Sequence, residues 1–356
     1  MITVLAPGLL TTVQDLGRWG FQAFGMPVAG AMDVYSLMAG NAVVGNIPGA
    51  AGLEITLTGP ELRFDSPGLA CVAGGDLGPL LNGFPVSSWE GIRVSEGDVL
   101  SFRGAASGGA RAWVCVGGGV DVPLVMGSRS TYLRGGLGGH EGRRLKRDDV
   151  LPCGNPDTLW PRGEGFCVPS SLRPQVTGEP QVRVIPGPQE DMFSPEGVDS
   201  FYNSGYSVGS ESDRMGYRLE GPAVEHSNGA DIISDAVAQG SIQVPGHGFP
   251  IVMLADRQTT GGYPKIATVI NADLQLLSQM APGDGLTFRR VQVSEAAEAS
   301  RKMMEALRTI RSLAADYRSR PAKYRGRSRM SGNMRLCFGG DCYDVSWSAF
   351  DGQGDN

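Results

Sequence analysis

The fold class this 356-residue chain predicts is mainly β with a few helices, and three observations carry it. Glycine occurs 53 times, about twice the ~7% usual in globular proteins and without a collagen period. The 23 prolines add further turn signals, which at this density separate many short strands. Apolar or alternating runs of strand length recur from end to end, whereas helical periodicity is confined to two stretches.

In chain order, the strand candidates begin with LEITLTGPELRF (53–64), GLACVAGG (68–75) and ARAWVCVGGG (110–119). QVRVIPG (181–187), SIQVPGHGFPIVMLA (241–255) and KIATVI (265–270) follow, all rich in strand-favouring residues. The first helix candidate is AMDVYSLMAGNAVVGN (31–46), starting near Asp33. The second spans 294–320, with Ser294 as N-cap and Met303, Met304, Leu307, Ile310 and Leu313 on one stripe. LTGPEL (57–62) is echoed by LEGPAV (219–224), and SEGDVLSF (95–102) by APGDGLTF (281–288), in the same order. Two related β modules are therefore expected: 1–155, then a Pro/Gly/Ser-rich linker 156–180, then 181–293. The amphipathic helix 294–320 follows, then 321–356, a basic linker and a terminal hairpin turning at Gly339-Gly340-Asp341. The basic run 318–329 reads as a solvated connection.

Bulk properties narrow the function. A net charge of −6 gives no general reason to expect nucleic acid. No run of ~18 apolar residues predicts a membrane helix, and the opening MITVLAPGLLTTVQD lacks the basic start of a signal peptide. The six cysteines match no zinc spacing and read as reduced cytoplasmic thiols. The histidines at 140, 226 and 247 are dispersed, so no metal site is expected.

Polar residues concentrate in three segments beyond what turns require. The first is TTVQDLGRWGFQAFGMPVAGAMD, with Gln14, Asp15 and Arg18; the second is SESDRMGYRLEGP, with Arg214. The third is DRQTTGGYPK, with Asp256, Arg257, Gln258, Thr259, Thr260 and Lys265. A guanidinium offers a planar fork to carboxylate or phosphate oxygens. Glutamine and threonine supply the donors and acceptors that an amide or ureido group needs. The competing reading is that Asp15–Arg18, Asp213–Arg214 and Asp256–Arg257 are salt bridges tying loops together. RGGLGGHEGRRLKRDD (134–149) lacks the P-loop pattern and reads as a mobile surface loop. No G-x-S-x-G is present, so a serine nucleophile is not expected.

These segments, with LEITLTGP, ISDAVAQGSIQVPGHGFPIVMLADRQTTGGYPKIATVI and APGDGLTF, resemble in order the biotin-dependent carboxyltransferase family, also called allophanate hydrolase subunit 2. The resemblance covers about residues 1–292 and extends to the C subunits of 5-oxoprolinases and to KipA-like members. It implies a cyclophilin-like β-barrel, a B-type (KipI-like) partner subunit, and work on an amide, lactam or ureido substrate. Three outcomes follow from it. One is the C subunit of an ATP-dependent complex that opens 5-oxoproline to glutamate with A-type and B-type subunits. Another is carboxyl transfer from biotin on a separate carrier; the third is a non-catalytic regulator that binds a KipI-like partner. The chain has neither a biotinylation A-M-K-M nor an ATP-binding glycine loop, so ATP is expected in the complex. Among site residues, Asp15, Asp256 and Lys265 are the expected catalytic groups, with Lys265 taking up developing negative charge. Arg18, Arg214 and Arg257 are expected to bind an anion, and Gln14, Gln258, Thr259 and Thr260 to read the amide, all around one recess.

Overall fold

The computed structural model describes residues 1–104, 109–154, 164–175, 179–227 and 229–320, and the backbone of strands Arg329–Phe338 and Asp341–Phe350. The N-terminal module holds β1 (Ile2–Ala6), β2 (Leu10–Gln14), α1 (Val34–Val44), β3 (Gly52–Thr56), β4 (Glu61–Phe64) and β5 (Gly68–Gly74). It continues through β6 (Pro79–Leu81), β7 (Phe84–Pro85), β8 (Gly91–Val94), β9 (Val99–Phe102), β10 (Arg111–Val116) and β11 (Val150–Leu151). They form a six-stranded sheet, β11-β1-β4-β9-β6-β7, and a five-stranded sheet, β2-β3-β10-β5-β8. The all-buried runs in β5 and β10 have a period-two explanation. Ala112, Val114 and Val116 join Ala70 and Val72 in the core shared by the two sheets. Trp113 and Cys115 point the other way, with Cys71 and Ala73, into a second core under α1. A side chain at Gly40 of α1 would come within 2.8 Å of Cys115 Sγ, so glycine permits this close approach.

The second module holds β12 (Gln181–Pro186), α2 (Pro195–Asn203), β13 (Gly205–Val208), β14 (Gly216–Glu220), β15 (Asp235–Ala236), β16 (Ser241–Gln243) and β17 (Ile251–Met253). After these come β18 (Thr260–Gly261), β19 (Lys265–Val269), α3 (Leu274–Ser278) and β20 (Gly285–Arg290). Seven of the strands close into a barrel, β12-β19-β16-β17-β14-β13-β20, sealed by the parallel β12–β20 pair. β15 and β18 form a separate two-stranded flap.

The repeated G-D motif is a real local repeat. Asp98 Oδ2 accepts from Ser95 N at 2.7 Å, and Asp284 Oδ2 accepts from Ala281 N at 2.8 Å. Gly97 (φ +89°) and Gly283 (φ +95°) occupy the same left-handed position. The surrounding architectures differ, however: stacked open sheets in one module, a closed barrel in the other.

The expected linker is partly a packed element. Phe166 and Val168 are buried in the α1 core, and Tyr35 OH donates to Leu172 O; residues 155–163 and 176–178 lie outside the described residues. The long helix α4 spans Val293–Ser319, and Ser294 lies within it: Gln292, in extended backbone, is the N-cap and accepts from Ala296 N. Its buried stripe is Leu307, Ile310 and Ala314, while Met304 and Leu313 stay more than a third exposed. Arg318 donates to Ala42 O at the C-terminal turn of α1 (2.8 Å), where a cation complements exposed carbonyls. Most of the basic run, 321–328, lies outside the described residues, as do Gly339 and Gly340. The terminal hairpin, β21 (Arg329–Phe338) and β22 (Asp341–Phe350), pairs Phe338 with Asp341 across that turn.

Candidate functional site

The two modules meet through charged groups. Arg214, at the start of β14, sends Nε and Nη2 to Asp256 at 3.2 and 3.0 Å, Nη1 to Glu54 on β3, and Nη2 also to Gly30 O. Burial alone would lower its pKa, but Asp256 and Glu54 outweigh it and hold the guanidinium charged. Glu54 also accepts from Met32 N at 2.7 Å. Gln279 donates to Asp33 Oδ2 at 2.7 Å and accepts from Arg111 N, and Arg111 donates to Ser278 O and the Tyr217 hydroxyl. Burial pushes the Asp33 carboxyl up, against hydrogen bonds from Ser36 and Gln279 that pull it down. Every nitrogen of the Arg214 guanidinium is engaged within the protein, so it fastens the modules rather than presenting a fork to substrate. That differs from the sequence expectation, because Glu54 is 160 residues away in the chain.

Asp15 has a similar role. Its Oδ1 accepts from Ser128 Oγ, Ser130 Oγ and Gly17 N, and its Oδ2 from Arg129 N at 2.6 Å. Four donors leave it little capacity to take a proton from a water, and it acts as a loop tether. Arg18 lies 1% exposed beside it and donates through Nη2 to Ser130 O, while its Nε and Nη1 have no partner. Burial lowers its pKa, opposed by the charges of Asp15 and Asp256, so Arg18 sits in the field of both. The glycine loop 134–149 is packed here. A side chain at Gly138 (φ +67°) would collide with Ser130 O and Arg18 Nη2, so the buried Gly138–Gly139 turn packs against Arg18, while 134–136, 141, 144 and 146–148 lie exposed at the surface as expected. Gln14 is held by Thr12 Oγ1 and Thr131 O, with its Oε1 unpartnered.

The third segment serves the rim of the barrel. Arg257 is 7% exposed and donates to Val237 O and Leu254 O, and among the described residues it makes no ion pair. Burial pulls its pKa down to about 10. Gln258 donates to Gln243 Oε1 at 3.4 Å, and its own Oε1 is buried without a partner. Lys265 Nζ donates to Asp235 Oδ2 at 2.8 Å, a bond that holds the Asp235 carboxyl below its ordinary range. Thr259 is half-buried, its carbonyl accepting from Val237 N, and Thr260 is exposed on the flap.

The structure thus sorts the expected residues into two clusters. Asp15, Arg18, Arg214 and Asp256 meet at the module junction, with Gln14 close by across Ser130 and Thr131. Arg257, Gln258, Lys265 and the two threonines surround the flap, and the Asp256–Arg257 dipeptide joins the clusters. Sequence reasoning missed Glu54, Gln243 and Asp235. A charge inside the apolar strand LEITL was the available signal for Glu54; nothing in the sequence marked Asp235 off from an ordinary turn acid. A surface recess of 390 Å³, lined by residues including Arg218, His247 and Phe249, contains none of the expected groups. Among the described residues no group of three or more His, Cys, Asp or Glu is placed to hold a metal, and no helix is long and apolar enough to cross a membrane.

Residues 24–290 match the family described as carboxyltransferase domain, subdomain A and B, and the chain belongs to that family. It is 37% identical over 301 residues to the C subunit of the 5-oxoprolinase of Escherichia coli, covering 84% of this chain and 94% of that one. The corresponding 5-oxoprolinase C subunit of Haemophilus influenzae is 37% identical over 302 residues, with 85% and 95% covered. Among solved structures, the urea amidolyase of Kluyveromyces lactis superposes with a TM-score of 0.81 at 33% identity, over 87% of this chain and 20% of that one. The chain thus spans about a fifth of the urea amidolyase but nearly the whole of the two bacterial subunits.

Proposed function

We propose that this carboxyltransferase-family chain is the C subunit of an ATP-dependent 5-oxoprolinase-type complex, working in the cytoplasm with B-type and A-type subunits. One observation carries the reading: among the described residues, buried Arg257 has no acid, and beside it the Gln258 acceptor is buried with no donor. An unpaired buried acceptor such as Gln258 Oε1 costs about 1–3 kcal/mol and is retained where a ligand satisfies it. A lactam bearing a carboxylate supplies what is missing. Its carboxylate fits the Arg257 guanidinium, its ring N–H fits Gln258 Oε1, and Lys265 takes up charge developing on the carbonyl oxygen. Ring opening adds water to the lactam carbon and breaks its C–N bond. In the complex, ATP would supply a phosphoryl group to activate the lactam carbonyl, and that group would leave as inorganic phosphate once water has added. Arg18, with two unpartnered nitrogens, provides a second anion-seeking group at the junction.

The test is co-expression with B-type and A-type 5-oxoprolinase subunits, assayed for 5-oxoproline-dependent ATP hydrolysis and glutamate release. Turnover that falls at least a hundredfold in Arg257→Ala supports the reading; unchanged turnover overturns the site. The structural likeness to a urea amidolyase favours a second reading, carboxyl transfer from a biotinylated carrier. Activity that needs bicarbonate and a biotinylated protein, with none on 5-oxoproline, would select it.

A further inference from the structure

From the flap geometry we infer that Asp235 is a positioning residue that fixes where the Lys265 ammonium points. The inference rests on the reading above, that Lys265 acts on the substrate carbonyl. Lys265 opens β19, whose register with β16 slips between Ile242–Ala267 and Gln243–Lys265, leaving Ile266 as a bulge. Bulges re-aim side chains, and here consecutive residues Lys265 and Ile266 are both buried, at 2% and 0% exposure. A lysine stem has four rotatable carbons, so burial alone does not choose a direction for its charge.

Asp235 makes that choice. Its Oδ1 accepts from Ala236 N at 2.7 Å, which leaves Oδ2 to receive Lys265 Nζ at 2.8 Å. The backbone beneath it is held at both ends. Asp235 and Ala236 pair with Gly261 and Thr260, Ile232 N donates to Gly262 O, and Val237 N donates to Thr259 O. These bonds already fasten the flap, so the ion pair is not needed to hold it down. Its remaining effect falls on the ammonium. Gln189 braces the lysine backbone by accepting from Lys265 N at 3.2 Å. The carboxylate side chain is half exposed while the lysine is 3% exposed, which puts the acid on the solvent side and the cation inward. From the neighbouring elements, β16 presents neutral Gln243, and the segment before α2 presents neutral Gln189. Glu190 is bound to Arg290 and Tyr202, and Arg257 reaches Val237 O two residues along the flap.

The assay is steady-state turnover of the assembled complex with Asp235→Asn, Asp235→Glu and Lys265→Ala, and each pH profile is recorded. A misdirected charge-stabilising group costs about ten- to a hundredfold in kcat. We expect Asp235→Asn to show that loss with KM within about threefold, and to move the basic limb of kcat to lower pH. Losing the carboxylate favours the neutral amine, whereas Asp235→Glu should restore part of the rate. In the isolated chain, acylation of Lys265 by acetic anhydride, read by mass spectrometry, should begin at lower pH in Asp235→Asn. Wild-type kcat and pH profile in Asp235→Asn, with Lys265→Ala inactive, would overturn this inference alone. A lowered melting temperature with no shift in either pH profile would also overturn it, in favour of a purely structural pair. Full activity in Lys265→Ala would instead remove the reading of Lys265 on which it rests.

Discussion

Replacing Arg214 and Arg257 separately with methionine should move stability in different directions, although both are buried arginines within one polar network. Arg214→Met leaves Glu54 and Asp256, with side chains 1% and 5% exposed, as unpaired buried charges. Breaking a buried pair from one side costs about 3–5 kcal/mol. At roughly 2 °C per kcal/mol for a chain of this size, the melting temperature should fall about 6–10 °C. Among the described residues Arg257 has no acid to strand. Burial pulls its pKa down to about 10, so the charged form is penalised in the fold at every pH below that value. That lowering amounts to roughly 3 kcal/mol against folding. The hydrogen bonds to Val237 O and Leu254 O offset about 2 kcal/mol of that. Arg257→Met should therefore melt within a few degrees of wild type, or above it, while turnover is lost. Differential scanning calorimetry at pH 7 with parallel activity assays reads both effects. A drop in Arg257→Met as large as that of Arg214→Met would refute the assignment of Arg257 as a group kept for a ligand.

Acid stability should depend on Asp149. Its carboxyl is pulled down to about 2, chiefly by the bidentate Arg143 bond at 2.7 and 2.8 Å. The folded value lies below the unfolded ~3.9, so this contribution, about 2 kcal/mol, is complete above pH ~4 and fades as pH falls through about 2. In Asp149→Asn that loss between pH 4 and 2 should vanish and stability at pH 7 should fall by a similar amount, read by urea melts at both pH values; an unchanged pH slope would contradict it. At the other end of the chain, Ile310→Ala, with Ile310 0% exposed between α4 and α1, should cost about 2–4 kcal/mol. A cost below 1 kcal/mol in chemical denaturation would mean that α4 is only loosely attached.

Much of the fold was legible locally. Strand runs such as ARAWVCV, the paired G-D turns and the long apolar stripe of α4 are set by neighbours a few residues away, where periodicity and turn chemistry act. The density of polar residues singled out the three segments, and all three do belong to the polar network. What stayed hidden was their division of labour. Asp15, read as a proton acceptor, is saturated by Ser128, Arg129, Ser130 and Gly17, three of them more than a hundred residues away. The glycine loop 134–149, read as surface, is exposed at half its positions, but its Gly138 is pressed against Arg18 by a contact no spacing rule encodes.

The sequence by itself determined the β-rich class, the long helix that follows the second module, the family, and which segments hold the polar groups. Tertiary structure alone decided which buried arginine is paired with acids among the described residues and which is not. Arg214 and Arg257 sit in equally suggestive motifs, each next to an aspartate. The outcome turns on desolvation and pairing, which depend on what folding brings within about 3 Å of each guanidinium, and for Arg214 that is a carboxylate from another module.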